Sequence, residues 1–321
     1  MSLVLITGAT GFIGSETALH VLKAGYRLRF VVRRPEQTAK LQERYAAYAD
    51  QLEFAIVPDL TAPGCYDEPL KGVDYVLHLA SPLPGGKETN LLRPAVSGTV
   101  SILHSALKVS TIKKVVITAS ILSLVPFGQN YGEDAVIKET FDVGNVTEEQ
   151  AAAAPPMGQY HASKLASYKA TIDFVREQKP AFDVVTLHPV LVYGFNRAQE
   201  SAEQLGGTNG MLFQAIMTGK PIAGRFLGVH VEDVAAAHVR VLNNKVQGQQ
   251  AFILGAPARS WEEVEAFVNE RYPKLPVKLE ERDGKGLVID TSKAERELGL
   301  RFKGMEEQVG DLIDQQLAFR K

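Results

Sequence analysis

Cysteine is almost missing from this sequence of 321 residues, in which Cys65 is the only thiol. A single cysteine excludes an intramolecular disulfide and a zinc site built from cysteines, and it is typical of proteins from a reducing compartment. The seven histidines are scattered, and none is paired with a cysteine or a carboxylate at a spacing typical of metal ligands. We therefore expect a cytoplasmic protein without a metal site.

The sequence also lacks an excess of charge and a long apolar run. Its 35 Lys and Arg residues nearly balance 37 Asp and Glu residues, which gives no indication of a nucleic-acid or membrane-surface partner. No apolar run approaches the roughly 20 residues that cross a bilayer. The apolar start at residues 1–6 follows no basic residue and ends at Thr7 and Gly8, so it predicts a first strand rather than a signal peptide.

What the sequence does contain is an alternation of short apolar runs with longer helical patterns. The runs are rich in Val, Ile and Leu, which is typical of strands buried between two helical layers. Strands are predicted at residues 3–7, 28–32, 54–57, 75–79, 115–118 and 184–188, and helices at 14–23, 37–49, 90–109 and 163–178. The expected fold class is α/β, with a Rossmann-like doubly wound parallel sheet.

The pattern weakens after residue 192, and this change suggests the domain organisation. Residues 1–192 are expected to form a nucleotide-binding domain with a mostly irregular excursion at 126–156, which lies outside the sheet. The remaining sequence predicts helices at 211–218, 234–243, 261–271 and 305–319, and short strands near Val229 and at 251–254. We expect residues 193–321 to form mainly a smaller C-terminal substrate lobe, with some segments returning to the large domain.

A glycine-rich turn follows the first predicted strand and opens the first helix. Gly8 permits a tight turn, Gly11 lets a pyrophosphate approach the backbone, and Gly14 lets the helix pack closely on the strand. The helix N-terminus adds free N–H groups. The candidate nucleotide contacts are Gly8, Thr10, Gly11, Phe12, Ile13 and Gly14. The alternative is that the glycines serve only to form the turn between a strand and a helix.

Two arginines, Arg33 and Arg34, end the second predicted strand, where an acidic residue would bind a free ribose 2′-hydroxyl. Guanidinium groups hold a 2′-phosphate by charge-assisted, bidentate hydrogen bonds. Lys40, farther along the next helix, is a weaker third candidate. The expected cofactor is therefore NADPH, unless both arginines are ordinary solvated surface residues.

A tyrosine and a lysine, Tyr160 and Lys164, stand four residues apart, which places them on one face of a helix. A nearby ammonium favours the phenolate, so this spacing predicts that Lys164 lowers the pKa of Tyr160. Thr118 and Ser120 follow at the end of the fifth predicted strand, at the edge of a parallel sheet where ligands bind. The Tyr160 and Lys164 spacing also occurs by chance on amphipathic helices.

Further motifs extend this pattern over almost the whole chain. They are Asp59-Leu60, His78-Leu79-Ala80-Ser81-Pro82, His188-Pro189-Val190, and residues 230–235 and 290–299. With the glycine turn, the arginines and the tyrosine pair, they make the sequence similar to the extended short-chain dehydrogenase/reductase family. Within it, the sequence resembles the dihydroflavonol reductase-like branch of aldehyde and ketone reductases.

The resemblance implies a role for each matching residue. Tyr160 would protonate a substrate carbonyl, Lys164 would hold the nicotinamide ribose, and Ser120 would polarise the carbonyl, with Ser123 as the second candidate for that hydroxyl. Nucleotide contacts are also implied for Asp59, Leu60, Leu79, Ala80, Ser81, Pro189, Val190 and Leu191. The chain departs from the broader family at Ala95, where many members carry an asparagine of a proton relay, and this puts the relay in doubt.

Two other functions remain open from the sequence. A nucleotide-sugar epimerase or dehydratase shares the fold, but such enzymes favour an acid where Arg33 stands. A non-catalytic NADP-sensing regulator is the alternative from another class. The expected substrate is a bulky, uncharged carbonyl compound, because the segments expected to line its pocket are largely apolar. These segments are 81–83, 121–127, the region around Tyr131, 190–193 and 206–209. We expect the protein to be a monomer or a homodimer.

Overall fold

A sheet of seven parallel strands forms the centre of the computed structural model, which describes residues 1–82, 91–128, 136–222, 224–281 and 285–320. Its strands are β1 (Leu3–Thr7), β2 (Arg27–Val32), β3 (Leu52–Ile56), β4 (Tyr75–His78), β5 (Lys114–Thr118), β7 (Asp183–Pro189) and β10 (Gln249–Leu254). Two small parallel pairs join β6 (Val136–Ile137) to β11 (Val288–Ile289), and β8 (Leu191–Tyr193) to β9 (Gly228–His230).

The helices lie on both faces of the sheet. They are α1 (Phe12–Lys23), α2 (Glu36–Arg44), α3 (Leu92–Ala106), α4 (Glu148–Ala153), α5 (Pro156–Gln178), α6 (Gly207–Thr218), α7 (Val231–Arg240), α8 (Trp261–Arg271), α9 (Ser292–Leu298) and α10 (Met305–Ala318). Helix α1 packs against α7, and α3 packs against α5. None of the helices in the described residues is long and apolar enough to cross a membrane.

The strand order is β10-β7-β5-β4-β1-β2-β3. From β1 the chain winds outward through β2 to β3, and it then returns to the other side of β1 to form β4. In such sheets, ligands bind at the carboxyl ends of the strands beside this reversal. The reversal places the ends of β1 and β4, Thr7 and His78, side by side.

The Rossmann-like parallel sheet is confirmed, and all six strands predicted for it lie in it. The strand predicted at 251–254 is part of β10, which pairs with β7 at the edge of the large sheet. A local apolar pattern identifies a strand without identifying its partner, so this pairing did not follow from the sequence. The domain boundary at 192–193 stays a prediction.

The local elements differ from the prediction in three places. Helix α5 begins at Pro156 rather than at 163, because Pro155 is its N-cap and proline is tolerated in a first helical turn. The excursion at 126–156 includes strand β6 and helix α4, whose Thr147 and Gln150 form a capping box. Helix α9 was not predicted.

The C-terminal part has a hydrophobic cluster of its own. Tyr193 stacks on Phe226, and Phe226 meets the edge of Trp261, at ring-centroid distances of 5.4 and 5.7 Å. Buried residues of α6, α8 and α10 complete this cluster. This cluster is therefore a separate packing unit, and its residues follow in the chain the strands that carry the predicted nucleotide motifs.

Candidate active site

The glycine turn between β1 and α1 is constrained at two of its three glycines by the protein itself. Gly8 has a φ of 77°, and a Cβ on it would lie 2.7 Å from the Ala80 nitrogen. A Cβ on Gly14 would lie 2.2 Å from the Gly8 carbonyl oxygen. A Cβ on Gly11 would meet only an ordinary contact at 3.5 Å, so no protein atom requires glycine there.

Helix α1 begins directly after this turn. Its N-cap is Gly11, no side chain caps it, and its first turn contains no acidic residue. Such a helix start attracts anions through its free N–H groups and its dipole. Thr10, Phe12 and Ile13 flank Gly11 at this start, as the sequence predicted for a nucleotide-binding turn.

A buried hydrogen-bond cluster joins the turn to the end of β4. The Ala80 N–H donates to the Thr7 hydroxyl at 3.1 Å, and that hydroxyl lies 3.0 Å from Nδ1 of His78. Burial and, secondarily, the charge of Lys164 lower the pKa of His78 to about 4. Neutral His78 and Thr7 therefore hold Leu79, Ala80 and the glycine turn together.

The three predicted phosphate ligands differ in their partners. Arg34 lies 3.3 Å from Glu36, and Lys40 lies 3.0 Å from Glu200, both in exposed ion pairs. The Arg33 side chain has no ion-pair or hydrogen-bond partner among the described residues. Gln37 accepts from the backbone N–H groups of Arg33 and Arg34 and so fixes their main chain.

Tyr160 and Lys164 lie on the first turns of α5 and face the ends of β4 and β5. Lys164 Nζ donates to the Ser81 hydroxyl at 3.0 Å and stands 5.6 Å from the centre of the Tyr160 ring. The Ser120 hydroxyl lies close enough to Tyr160 to lower the pKa of its side chain. The four side chains thus form one row across the edge of the sheet.

Burial dominates the pKa values of Tyr160 and Lys164. It raises the pKa of Tyr160 to about 12, and the nearby Ser120 hydroxyl lowers it only in part. Burial also lowers the pKa of Lys164 to about 8. Lys164 binds Ser81 and lies over the Tyr160 ring, and the expected lowering of the Tyr160 pKa by Lys164 stays a prediction.

The two candidate serines occupy different environments. Ser120 caps the 3-10 turn Ile121–Leu124, and its hydroxyl accepts from the Leu122 N–H at 3.2 Å. Ser123 is fully buried, donates to the Ser120 carbonyl at 2.5 Å and lies 2.8 Å from Nδ1 of His188. Only Ser120 faces Tyr160, whereas Ser123 lies behind it.

The other predicted nucleotide residues lie along the same edge. Asp59 and Leu60 follow β3, and hydrogen bonds from the Thr61 hydroxyl and N–H lower the pKa of Asp59. Pro189, Val190 and Leu191 link β7 to β8. Thr118 lies 2.7 Å from the buried His238 and borders a polar cavity of about 20 Å³ beside Lys164, which has room for one water molecule.

The predicted substrate walls are described only in part. Leu83 and Tyr131 lie outside the described residues. Ile121 is buried beside Ser120, and the Phe127 ring meets His161 edge-on at 5.4 Å. The segment at 206–209 starts α6, where Asn209 exchanges two hydrogen bonds with the Gly194 backbone.

Comparison with known proteins places this geometry in a family. The model of the NAD dependent epimerase/dehydratase family matches residues 4–255. The chain belongs to this family. The predicted extended short-chain dehydrogenase/reductase is therefore confirmed, and the chain is a nicotinamide-dependent oxidoreductase of the epimerase/dehydratase family.

Its relatives in the family include named ketoreductases. Ketoreductase sphI of Aspergillus fumigatus is 43% identical and covers 99% of this chain and 98% of its own length. Ketoreductase CTB6 of Cercospora beticola is 31% identical over 98% of this chain and 95% of its own. The crystal structure of Gre2 from Candida albicans with NADPH is 25% identical, covers both chains completely and has a TM-score of 0.87.

Proposed function

We propose that this protein is an NADPH-dependent reductase that converts a ketone or aldehyde to an alcohol. The observation that carries this proposal is the row of Ser120, Tyr160, Lys164 and Ser81 beside the glycine turn. Named ketoreductases among the relatives support the same reaction class. Among the described residues, no carboxylate pairs with the Arg33 side chain, and this favours the phosphorylated nucleotide.

The residues present fit such a nucleotide. The open space at Gly11 and the uncapped N-terminus of α1 suit a pyrophosphate, and the unpaired Arg33 suits a 2′-phosphate. Lys164 has two further N–H donors beside the one bound to Ser81, and these suit ribose hydroxyls. When bound, the reduced nicotinamide supplies a hydride to the carbonyl carbon.

The side chains supply orientation and the proton. The Leu122 N–H occupies one lone pair of the Ser120 hydroxyl, so the hydroxyl proton is free to donate to a carbonyl oxygen. Tyr160, whose pKa of about 12 keeps it protonated at neutral pH, donates its proton to the same oxygen as negative charge develops there. In this scheme Tyr160 is the general acid and Ser120 the polarising group.

The substrate class follows from the surroundings of the row. Ile121 and Val190 are buried apolar residues, and the segments expected to line the substrate pocket are largely apolar and contain no group of cations like that near Arg33. Such walls favour a bulky, uncharged carbonyl compound over a nucleotide-linked sugar. The family name alone does not distinguish the two, because both groups share it.

The test is oxidation of NADPH, followed at about 340 nm, with a panel of aromatic and aliphatic ketones and aldehydes. Tyr160→Phe should lower kcat by at least about 100-fold, since general acid catalysis contributes roughly 10² to 10⁴. Its NADPH Kd should change by less than about threefold. Near-normal kcat in this variant would show that Tyr160 is not the acid.

The same assay tests the other two functions. NADPH binding without oxidation across the panel would favour a non-catalytic regulator. Turnover of a nucleotide sugar without net NADPH consumption would favour an epimerase. The proposed reductase requires stoichiometric conversion of NADPH and carbonyl to NADP⁺ and alcohol.

A further inference from the structure

His188 is a buried residue at the end of β7 that the mechanism above does not use. Its side chain is completely buried. The edge of its ring packs against Tyr168 at a centroid distance of 4.6 Å. Ring nitrogen Nδ1 lies 2.8 Å from Ser123 Oγ and 3.2 Å from the Ser120 carbonyl oxygen, and Nε2 lies 2.8 Å from Thr186 Oγ1.

The hydrogen bonds determine which nitrogen carries the proton. Ser123 already donates its proton to the Ser120 carbonyl, so its oxygen can only accept from His188. The Ser120 carbonyl can also only accept. Nδ1 is therefore the protonated nitrogen. Nε2 then accepts from the Thr186 hydroxyl at 2.8 Å, because the other acceptor for that hydroxyl proton, the Gln250 carbonyl, lies farther away at 3.4 Å. Burial lowers the pKa of His188 to about 3, so this neutral form persists through the physiological range.

The imidazole thus connects β7 to the turn that carries Ser120. Its Nδ1 has two partners in the 3-10 turn: Ser120, which caps the turn, and Ser123, which lies inside it. Nothing else among the hydrogen bonds of the described residues ties the Ser120 carbonyl to another strand. A shift of this carbonyl rotates the main chain of Ser120 and moves its hydroxyl relative to Tyr160.

We propose that His188, together with Ser123, is a positioning residue that holds the Ser120 hydroxyl against Tyr160 and the substrate carbonyl. His188 touches neither substrate nor cofactor in this assignment and acts only through Ser120. The inference rests on the proposed function, because it requires Ser120 to take part in the reaction. It extends that function by explaining what aligns the hydroxyl.

The first test compares two replacements of His188. The amide nitrogen of Asn can take the place of Nδ1 and donate to the Ser120 carbonyl, whereas Leu offers no donor. His188→Leu should lower kcat by about 10- to 100-fold, since a misplaced catalytic group costs up to roughly 10²-fold. His188→Asn should restore kcat to within about threefold of the unaltered protein. The NADPH Kd should be unchanged in both. Equal losses for Leu and Asn would overturn the proposal.

A double-mutant cycle separates positioning from a structural effect. If His188 acts through Ser120, His188→Leu should lower kcat no further when Ser120→Ala is already present. Multiplying losses would overturn the proposal while leaving the role of Ser120 intact. If Ser120→Ala alone keeps full kcat, the proposed function is wrong at Ser120, and this outcome is distinct from the other two.

Ser123→Ala provides a second route if His188→Leu does not fold. It removes one hydroxyl from the same network and should lower kcat in the same non-additive way. His230→Leu is the matched control, because His230 is equally buried and both of its ring nitrogens have hydrogen-bond partners, Asp311 and the Glu232 N–H. We expect it to lower the melting temperature without lowering kcat. A kcat loss there equal to that of His188→Leu would overturn the proposal.

Discussion

Lys164 illustrates how a residue's chemistry depends on its first hydrogen-bond partner. Its position four residues after Tyr160 predicts proximity, and the two side chains do lie together. The direction of the ammonium depends instead on Ser81, which stands 83 residues earlier in the chain. A spacing in the sequence cannot contain that information, so the effect of Lys164 on the Tyr160 pKa could not be predicted from it.

The lowered pKa of Lys164 predicts pH-dependent cofactor binding. Since burial lowers this pKa to about 8, the ammonium is charged below pH 8 and loses its charge as the pH rises through 8. The NADPH Kd, measured by fluorescence titration, should therefore increase above pH 8. Ser81→Ala removes a hydrogen bond to the charged form and should move the midpoint to lower pH. Lys164→Arg should abolish the transition, and a midpoint unchanged by Ser81→Ala would contradict this explanation.

The unequal partners of the three cations predict unequal contributions to NADPH binding. Arg33→Ala should raise the NADPH Kd by about 10- to 100-fold, the equivalent of one charge-assisted contact of roughly 1.5–3 kcal/mol. Lys40→Ala is the matched comparison and should raise it less than about threefold, because Glu200 already holds that ammonium. The NADH Kd should not change in either variant. Equal losses of NADPH and NADH affinity in Arg33→Ala would rule out a contact with the 2′-phosphate.

At the scale of elements, the strand, turn and helix at residues 3–23 contain two glycines, Gly14 and Gly11. Replacing each by alanine should affect a different property, the stability for Gly14 and NADPH binding for Gly11. Gly14→Ala should lower the melting temperature sharply, because the new Cβ would overlap the Gly8 carbonyl oxygen. Gly11→Ala meets only an ordinary contact and should cost at most about 1 kcal/mol of stability as an N-cap change. It should nevertheless weaken NADPH binding by about tenfold or more, since its methyl occupies the open space above the turn. A Gly11→Ala protein with normal NADPH affinity would place the pyrophosphate elsewhere.

Elements were predictable where the signal is local. The buried strands of the sheet show as apolar runs, and the glycine turn shows as a fixed spacing. Strand β10 was predictable as a strand, but its partner β7 was not, because this pairing joins residues about 65 positions apart in the sequence. The predicted start of helix α5 lies too far along the chain, because Pro156 resembles the end of a loop in the sequence although it occupies the first turn of the helix.

For the candidate site, the sequence predicts which residues come close together but not how they are hydrogen-bonded. Residues at strand ends converge because parallel strands end at one edge, and this geometry follows from the fold. The hydrogen bonds between those residues do not follow from it. His188 and Thr186 point to the same face of β7 because they are two residues apart, and this alternation was a usable signal for their contact.

At the scale of the whole molecule, the segment after β8 connects helices α1 and α2 to the C-terminal helix α10. Arg197 pairs with Glu16 of α1 at 2.9 Å, and Glu200 pairs with Lys40 of α2. On its other side, the Asn196 backbone exchanges two hydrogen bonds with Gln315 of α10. The segment therefore contacts both α1, which follows the glycine turn, and α10, which contributes to the hydrophobic cluster of the C-terminal part.

The Glu16 pair predicts how this connection responds to acid. Burial raises the pKa of Glu16, but hydrogen bonds from His20 and Arg197 outweigh it and hold the pKa below the ordinary 4.5. Such a carboxylate contributes stability above its ordinary pKa, and this contribution is lost as the pH falls through the lowered value. Arg197→Met leaves the carboxylate buried with only His20 beside it. We expect a loss of about 2 kcal/mol at pH 7, below the 3–5 kcal/mol of a fully buried pair because Arg197 is partly exposed.

The deficit of Arg197→Met should shrink as the pH falls from 7 towards about 4, because loss of Arg197 raises the pKa of the buried Glu16 and its protonation removes the unpaired charge. Urea unfolding at a series of pH values between about 4 and 7 measures this difference. Arg93→Met is the control, since Arg93 forms an exposed pair with Glu148 of similar geometry, and its replacement should change the stability little at any pH. A deficit of Arg197→Met that stays constant with pH would mean that the arginine stabilises the connection by packing rather than through the charge of Glu16.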